Sequence, residues 1–361
     1  MSTTPNVPRA PIPEYSPAVL QSRLTDPTRL EALRASALLD GAQNAVLDRL
    51  TRLVTRVLGV PVSLVSLVDD RGQHFPGLTG LGGWAGERRG TPLTHSFCQH
   101  VVGRDAMLVV EDATVDPLVM DNLAFHELGV VAYLGVPLRT SSGDTLGALC
   151  AIDTKPLHWT DEQIATLEDL AVAAMAEIEL RATTLALIAA HEKLRTQATR
   201  DALTGLLNRH GFSEGAHRTV ALAQRMKTPF AVLAMDLDGF KQINDTLGHD
   251  AGDEALVEMA NLLLQQARTA DIIGRMGGDE FVILCPNTSA GDIAPLRQRI
   301  AGALDALNAE PDREYTLATS VGVAVWDIAV PMSLAALLSA ADASMYENKR
   351  LRKSAPQLSV A

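Results

Sequence analysis

The stretch GRMGGDEFVIL, Gly274 to Leu284, sets two glycines and two adjacent carboxylates between apolar runs. DIIGRM before the tip and FVILC after it read as strands, and Gly277-Gly278 can supply the positive φ that a tight hairpin needs. Asp279 and Glu280 then stand side by side in a four-residue tip, Gly277 to Glu280, where like charges repel. Alone, such a tip is more often a solvated turn than a site. A second acidic strand end, Asp236-Leu237-Asp238 after the apolar run FAVLAM, changes the balance. Two neighbouring strands that end in carboxylates at one edge make a pocket for Mg²⁺, a hard ion that takes oxygen ligands and bridges substrate phosphates.

Working outward, EALVEMANLLLQQART is an amphipathic helix, LATSVGVAVW a further strand and LAALLSAADASMYENKR a closing helix, so the chain from Asp201 onward reads as one α/β unit. Before it, no Pro or Gly occurs from Thr160 to Thr204. A single helix of roughly 40 residues, about 60 Å at 1.5 Å per residue, is expected there. Thr160 and Gln163 form a capping box at its start. Ile164, Leu167, Ala171, Ala174 and Ile178 follow the 3-4 spacing of a coiled-coil seam, Arg181 interrupts it, and Ala182, Leu185 and Ala189 resume it after a shift. The helix is therefore expected to join two domains and pair with a second chain.

An α+β domain precedes that helix. AVLDRLTRLVTRVLG, residues 45 to 59, has a helical face ending at Gly59, PVSLVSLVDD a strand, and MLVVEDA, AYLGVPLRT and TLGALCAID three more, the last two joined by the hairpin signal Ser-Ser-Gly-Asp. Residues 1 to 25 are expected to be a disordered arm, because Pro5, Pro8, Pro11, Pro13 and Pro17 favour extended chain.

Composition narrows the function classes. A formal net charge of -12 argues against wrapping a nucleic-acid polymer or lying on anionic lipid. No apolar run reaches the ~18 residues of a membrane span, and the Pro-rich N-terminus lacks a signal-peptide core, so no membrane insertion and a cytoplasmic location are expected. Three widely spaced cysteines, Cys98, Cys150 and Cys285, make a disulfide framework improbable.

Several spaced motifs, taken in order, resemble the GGDEF diguanylate cyclase family. They are Asp201-Ala-Leu-Thr-Gly-Leu-Leu-Asn208-Arg209, Asp236-Leu-Asp-Gly-Phe-Lys-Gln-Ile-Asn244-Asp245, Gly248-His-Asp-Ala-Gly-Asp253, Arg275-Met-Gly-Gly-Asp-Glu-Phe281, Ser320-Val-Gly-Val and Ala341-Asp-Ala-Ser-Met-Tyr346. The resemblance covers Asp201 to Lys353. It implies condensation of two GTP into cyclic di-GMP with release of two pyrophosphates, each domain of a dimer holding one GTP. It also implies two Mg²⁺ or Mn²⁺ per active site, held by Asp236, Asp279, Glu280 and the Leu237 carbonyl. By the same resemblance Asp279 and Glu280 are catalytic, with Asp279 assisting deprotonation of the 3'-hydroxyl. Asn244 and Asp253 read the guanine edge, for which Asp253 can accept from N1-H and the exocyclic amine. Phe240, Lys241, Gly277, Gly278 and Lys349 complete the GTP set. Where the family places a Gly-Arg pair, this chain has Arg352-Lys353, and Lys353 is a point charge rather than a bidentate fork. Arg268 and Asp271 resemble the family's RxxD product-inhibition site, although at i, i+3 they also read as an ordinary helix-end salt bridge.

Residues 30 to 180 resemble a GAF domain through Ser66-Leu-Val-Asp69, Ser96-Phe-Cys98-Gln-His100, Gly135-Val-Pro-Leu138 and Leu146-Gly-Ala-Leu-Cys150-Ala-Ile-Asp153. These motifs leave the GAF ligand unknown. Cys98 and His100 lack the partners of a zinc site and read as structural. Asp69, Asp112 and Asp153 end strands, where acids cap turns.

The expected organisation is thus α+β. An N-terminal GAF-type antiparallel sheet with flanking helices (26–159) is followed by a connecting coiled-coil helix (160–199). A GGDEF domain with a mostly antiparallel sheet (200–354) and a disordered tail (355–361) complete it. The rival reading is a non-catalytic receptor of GTP or cyclic di-GMP. Such a receptor could lose Asp236, Asp279 and Glu280, and all three are present. A purely structural dimerisation module leaves Asn244 and Asp253 unexplained.

Overall fold

The computed structural model describes residues 16–39, 41–327 and 332–354, with side chains as far as Arg350. It divides into two compact units at Ala189/Ala190. In the first, helices α1 (Pro17–Leu24), α2 (Pro27–Ala35) and α3 (Ala45–Leu58) lead into strands β1 (Val62–Val68) and β2 (Gly72–Thr79). Then come α4 (Gly83–Arg88), β3 (Gly90–Pro92), α5 (Cys98–Arg104), β4 (Leu108–Val110), α6 (Leu123–Leu128), β5 (Ala132–Arg139), β6 (Thr145–Asp153) and α7 (Asp161–Thr199).

The six strands form one antiparallel sheet in the order β3-β2-β1-β6-β5-β4. Alternate residues of the central strands feed opposite cores. Leu134, Leu149 and Ala151 meet α3 and α7 on one face, while Tyr133, Cys150 and Ile152 meet α1, α5 and α6 on the other. Strand β2 was not foreseen, because Gly72, Pro76 and Gly77 break the β-rich pattern by which strands are read.

Two expectations need correction. The arm does not extend to residue 25: α1 occupies Pro17–Leu24, with the Ser16 hydroxyl accepting the Val19 amide. Pro17 opens that helix rather than preventing it, since its missing N–H is one that a first helical turn leaves unpaired. Buried Arg29 then fastens α1, donating to the carbonyls of Arg23, Leu24 and Val68 at 2.6–2.8 Å. The rest of the arm and the tail, 1–15 and 355–361, lie outside the described residues.

The second correction concerns α7. Its capping box forms as expected, Gln163 N–H to Thr160 Oγ1 at 3.2 Å and Thr160 N–H to Gln163 Oε1 at 3.0 Å. The stripe from Ile164 to Ile178, however, is buried in the unit's own core and offers no seam to a second chain. Spacing alone could not separate the two, because a helix packed on a sheet also needs an apolar residue every three or four positions. Arg181 marks the change: its Nε donates to the Ser36 carbonyl at 3.2 Å, and beyond it Leu185, Leu187, Ile188 and Leu194 are exposed.

In the second unit α8 (Arg209–Met226) precedes β7 (Phe230–Asp238), α9 (Phe240–Leu247) and α10 (His249–Gln266). The chain continues through β8 (Ile272–Gly277), β9 (Glu280–Pro286), α11 (Ile293–Asn308), β10 (Ala318–Trp326) and α12 (Leu334–Ser354). The sheet is antiparallel, ordered β10-β7-β9-β8. Central β7 sends Leu233, Met235 and Leu237 to the α10 and α11 side and Phe230, Val232 and Ala234 to the α8 and α12 side. No helix among the described residues is long and apolar enough to cross a membrane.

Half-buried His100 on α5 gives the first unit an acid sensitivity. Burial, then the charge of Arg104, draw its pKa from 6.5 down to about 4, so the fold holds the neutral imidazole while the unfolded chain accepts a proton. The contribution is fully present above the unfolded value and is lost as pH falls through the interval. Urea titrations should show this unit losing on the order of 2 kcal/mol from this residue between about pH 7 and pH 4. His100→Gln should flatten that loss, and an unchanged slope would refute the assignment.

Candidate active site

Antiparallel pairing of β7 with β9 sets Asp236 opposite Glu280, and the Leu237 amide donates to the Asp279 carbonyl at 3.1 Å. The two acidic segments therefore meet at one sheet edge. The hairpin is tighter than the four residues expected: Gly277 pairs with Glu280, leaving Gly278 and Asp279 as the tip. Gly277 (φ 140°) and Gly278 (φ 55°) both take the positive φ that permits so close a turn.

The electrostatics of this edge are strained. Burial, then the negative charge of Asp236, push the Asp279 carboxyl above the usual carboxylate range. Lys349, brought in from α12, donates its ammonium to Asp236 Oδ1. Burial opposes that ammonium's charge, but Asp236, Asp238 and Asp279 together hold its pKa above the ordinary value. Lys349 was expected on phosphate and is found on carboxylate. Next to it, Asn348 Nδ2 donates to the Val321 carbonyl at 2.9 Å, fixing this turn of α12 on β10. Glu280 points outward, 51% exposed, with Arg209 at 3.9 Å.

A divalent cation fits these donors. The Asp236 and Asp279 carboxylates, with the Leu237 carbonyl between them in sequence, are hard oxygen groups of the type Mg²⁺ selects. No three acidic, His or Cys side chains cluster at metal-binding distance among the described residues. Substrate oxygens and water would have to complete any coordination shell, as is usual for Mg²⁺.

The expected base-reading residues lie on consecutive helices. Asn244 is half-buried on α9 and Asp253 exposed on α10. Gly252 is what lets α10 pass so close to Asn244, since a Cβ there would stand 2.0 Å from Asn244 Oδ1. Gly239 (φ 77°) turns the chain from β7 into α9, where half-buried Phe240 packs on the core and Lys241 is exposed on the first turn. The Lys353 side chain lies outside those described. Arg268 and Asp271 are together, but not as the salt bridge expected: the Asp271 carboxylate accepts the Arg268 backbone N–H at 2.7 Å. Among the described residues the Arg268 guanidinium has no ion-pair partner within 4.0 Å. A cleft of about 770 Å³ between α11 and β10 contains none of these residues.

In the first unit Asp69, Asp112 and Asp153 act as turn caps, accepting the backbone N–H groups of Arg71 and Gly72, Thr114, and Lys155.

Two positioning residues were not singled out from the sequence. Arg275 holds the hairpin from beneath, its Nε and one Nη donating to the Gly278 carbonyl at 2.9 and 2.7 Å and the other Nη to Asp201 Oδ1 at 2.9 Å. Burial opposes ionisation of Asp201, yet its bonds to Thr204 and Arg275 outweigh burial and lower its pKa. Asn208 ties the same segment to the end of α7, donating to the carbonyls of Ala198 and Arg200 at 2.9 and 3.1 Å. Their place in quoted motifs was the only available signal, since contacts across 74 residues carry no periodicity. Arg275→Ala should speed hydrogen exchange of the Leu237 amide roughly tenfold to a hundredfold, the effect of a lost charge-assisted bond of ~1.5–3 kcal/mol. An unchanged rate would mean that the hairpin stands without Arg275.

Residues 198–355 match the family "Diguanylate cyclase, GGDEF domain", and residues 44–178 match "GAF domain". The chain is 31% identical over 237 residues to diguanylate cyclase DgcP of Escherichia coli (strain K12), covering 65% of this chain and 69% of that one. It is 37% identical over 138 residues to the probable diguanylate cyclase DgcC of the same strain, covering 38% of this chain and 37% of that protein. Among solved structures, the GGDEF domain of TpbB from Pseudomonas aeruginosa is 36% identical with a TM-score of 0.39, covering 42% of this chain and 89% of that one. The chain belongs to the GGDEF diguanylate cyclase family and carries a GAF domain ahead of its GGDEF domain.

Proposed function

We propose that this protein condenses two molecules of GTP into cyclic di-GMP and two pyrophosphates, working as a dimer under the control of its GAF domain. The observation that carries the chemistry is the Asp236–Asp279 edge, where two carboxylates and Lys349 converge. Asn244 and Asp253 bind the guanine of one GTP, with Asp253 accepting from N1-H and the exocyclic amine that adenine does not offer together. Phe240 and the Gly277-Gly278 backbone border the triphosphate, and Lys241, with Lys353, neutralises phosphate oxygens. Lys349 has Asp236 as its partner in the free protein and is available to the phosphates once cations occupy the edge.

Bound Mg²⁺ or Mn²⁺, two per site, would be held by Asp236, Asp279, Glu280 and the Leu237 carbonyl and would stabilise the attacking and leaving oxygens of an in-line displacement. Asp279 receives the proton of the 3'-hydroxyl, whose acidity a bound cation would raise. That hydroxyl oxygen forms a bond to the α-phosphorus of the second GTP while the bond to pyrophosphate breaks. Repetition in the opposite sense closes the ring, which requires two facing domains.

The second chain is proposed to pair through α7 from Leu180 onward. Leu180, Leu187 and Leu194 recur at heptad spacing on the exposed part of the helix. Arg268, whose guanidinium has no ion-pair partner among the described residues, is proposed to clamp product with Asp271 setting the turn.

Chromatography of protein incubated with GTP and Mg²⁺ should show cyclic di-GMP, with Asp279→Asn and Glu280→Gln slower by at least ~100-fold. Product at the parent's rate from both variants, or from no sample, would move the assignment to a receptor that binds without converting. For the second site, Arg268→Ala should keep the initial rate within about twofold and make progress curves insensitive to added cyclic di-GMP. Inhibition equal to the parent's would sink the product-clamp reading.

A further inference from the structure

The loop between α11 and β10, residues 309–317, reaches across the second unit to α10. Arg313 forks onto Glu258 of that helix, its two Nη groups donating to Oε1 and Oε2 at 3.0 and 2.6 Å, and the Tyr315 hydroxyl donates to Oε2 at 3.0 Å. The Arg313 guanidinium also lies over the Tyr315 ring, 5.3 Å from its centre. Asn308 closes the neck of the loop, donating to the Leu317 carbonyl at 2.7 Å and accepting the Leu317 amide at 2.8 Å. Directly past the neck, β10 grips the acidic end of β7. Thr319 Oγ1 donates to the Asp236 carbonyl at 3.0 Å, and Ser320 Oγ donates to Asp238 Oδ1 at 2.7 Å. One short stretch, 308–320, therefore holds both the helix that carries Asp253 and the strand end that carries Asp236.

Stability is a poor account of this pair. The Arg313 and Glu258 side chains are 12% and 25% exposed, and Arg313 Nε is buried with no hydrogen-bond partner among the described residues. Taking two charges out of water costs about as much as their attraction returns, and apolar side chains of similar volume would hold the loop as well. What a guanidinium–carboxylate fork adds is direction. Helix α10 otherwise meets its core through Leu256, Met259, Ala260 and Leu263, whose attraction is non-directional. Among the described residues Glu258 is the only side chain of α10 that makes a hydrogen bond. Asp253 stands five residues earlier, about 7.5 Å along the same rigid helix, so the setting imposed at Glu258 is passed on to it.

We propose that Arg313 and Tyr315 are positioning residues for guanine recognition: through Glu258 they fix the rotation and axial setting of α10, and with it Asp253, relative to the strand end that carries Asp236. The inference rests on the assignment of Asp253 as the guanine reader. Loss of the anchor lets α10 turn or slide on its apolar contacts, so the base is held less well while the carboxylate edge keeps its own bonds to β10 and to Lys349.

The experiment compares the full-length protein with the double variant Glu258→Leu, Arg313→Met and with Tyr315→Phe, using GTP and inosine triphosphate as substrates in Mg²⁺. Inosine triphosphate lacks the exocyclic amine, so preference for GTP reports where Asp253 stands. The parent should prefer GTP in kcat/KM by about tenfold, and in the double variant that preference should fall below about threefold while KM for GTP rises about tenfold. Its kcat at saturating GTP should stay within about twofold and its melting temperature should not fall, since an apolar pair of similar volume keeps the loop packed. Tyr315→Phe, which removes one of the three bonds to Glu258, should lie between the two. A double variant with the parent's KM and preference would overturn the proposal, and so would a lower kcat at unchanged KM and preference, the signature of a merely structural role. Should the double variant melt early, Tyr315→Phe decides alone, because it deletes only a hydroxyl. A parent that makes no cyclic di-GMP would count against the cyclase reading instead. The same comparison is then read as calorimetric dissociation constants for GTP and inosine triphosphate, and constants equal in parent and double variant would overturn the anchor.

Discussion

The antiparallel pairing of β7 with β9 is the constraint on which the second unit turns. Strand β7 is buried on both faces, between α10 and α11 on one side and α8 and α12 on the other, so a register shift would have to repack two cores at once. That register puts Asp236 opposite Glu280 and the Leu237 amide on the Asp279 carbonyl. Repulsion between carboxylates is thereby built into the fold and sustained by the burial of several large apolar side chains. Lys349 relieves part of it, and the field left over is what makes the edge receptive to further cations.

Around this edge, helices present Asn244 and Asp253, and loops align the hairpin. Asn244 and Asp253 sit on helices that meet at Gly248, and the close packing of Asn244 on the second helix depends on the absence of a side chain at Gly252. Arg275 and Asp201 couple the hairpin to the segment that follows α7, while Asn208 holds the carbonyl of Ala198 in the last turn of that helix and that of Arg200 just past it. A displacement of the end of α7 therefore has a bonded path to the tip that carries Asp279. The first unit is organised differently, with one sheet serving two separate cores. The core that contains α7 includes no cysteine among the described residues, and the opposite one holds Cys98, Cys150 and Tyr133.

Much of this was legible in the residues themselves. FAVLAMDLD, DIIGRM, FVILC and TLGALCAID are strands, and the Thr160–Gln163 box opens a long helix, because period, β-branching and capping are local properties. The meeting of Asp236 with the Gly277–Glu280 turn was likewise anticipated, since both are acidic ends of apolar strands. Less legible were β2, hidden by Gly72, Pro76 and Gly77, and α1, which opens on a proline read as a breaker. The pairing of Arg268 with Asp271 was foreseen, while its form, carboxylate on backbone rather than on guanidinium, was not.

By itself the sequence determined the element types, the family and the identity of the carboxylates, because these follow from short-range pattern and ordered motifs. Only the tertiary structure decided that the Ile164–Ile178 stripe of α7 serves its own domain, that Lys349 rests on Asp236, and that Cys98 meets the Tyr133 hydroxyl. Each of these is a choice among partners far apart along the chain. Apolar spacing, a lysine or a cysteine announces that a partner is needed, and only packing in three dimensions selects which one is near enough to serve.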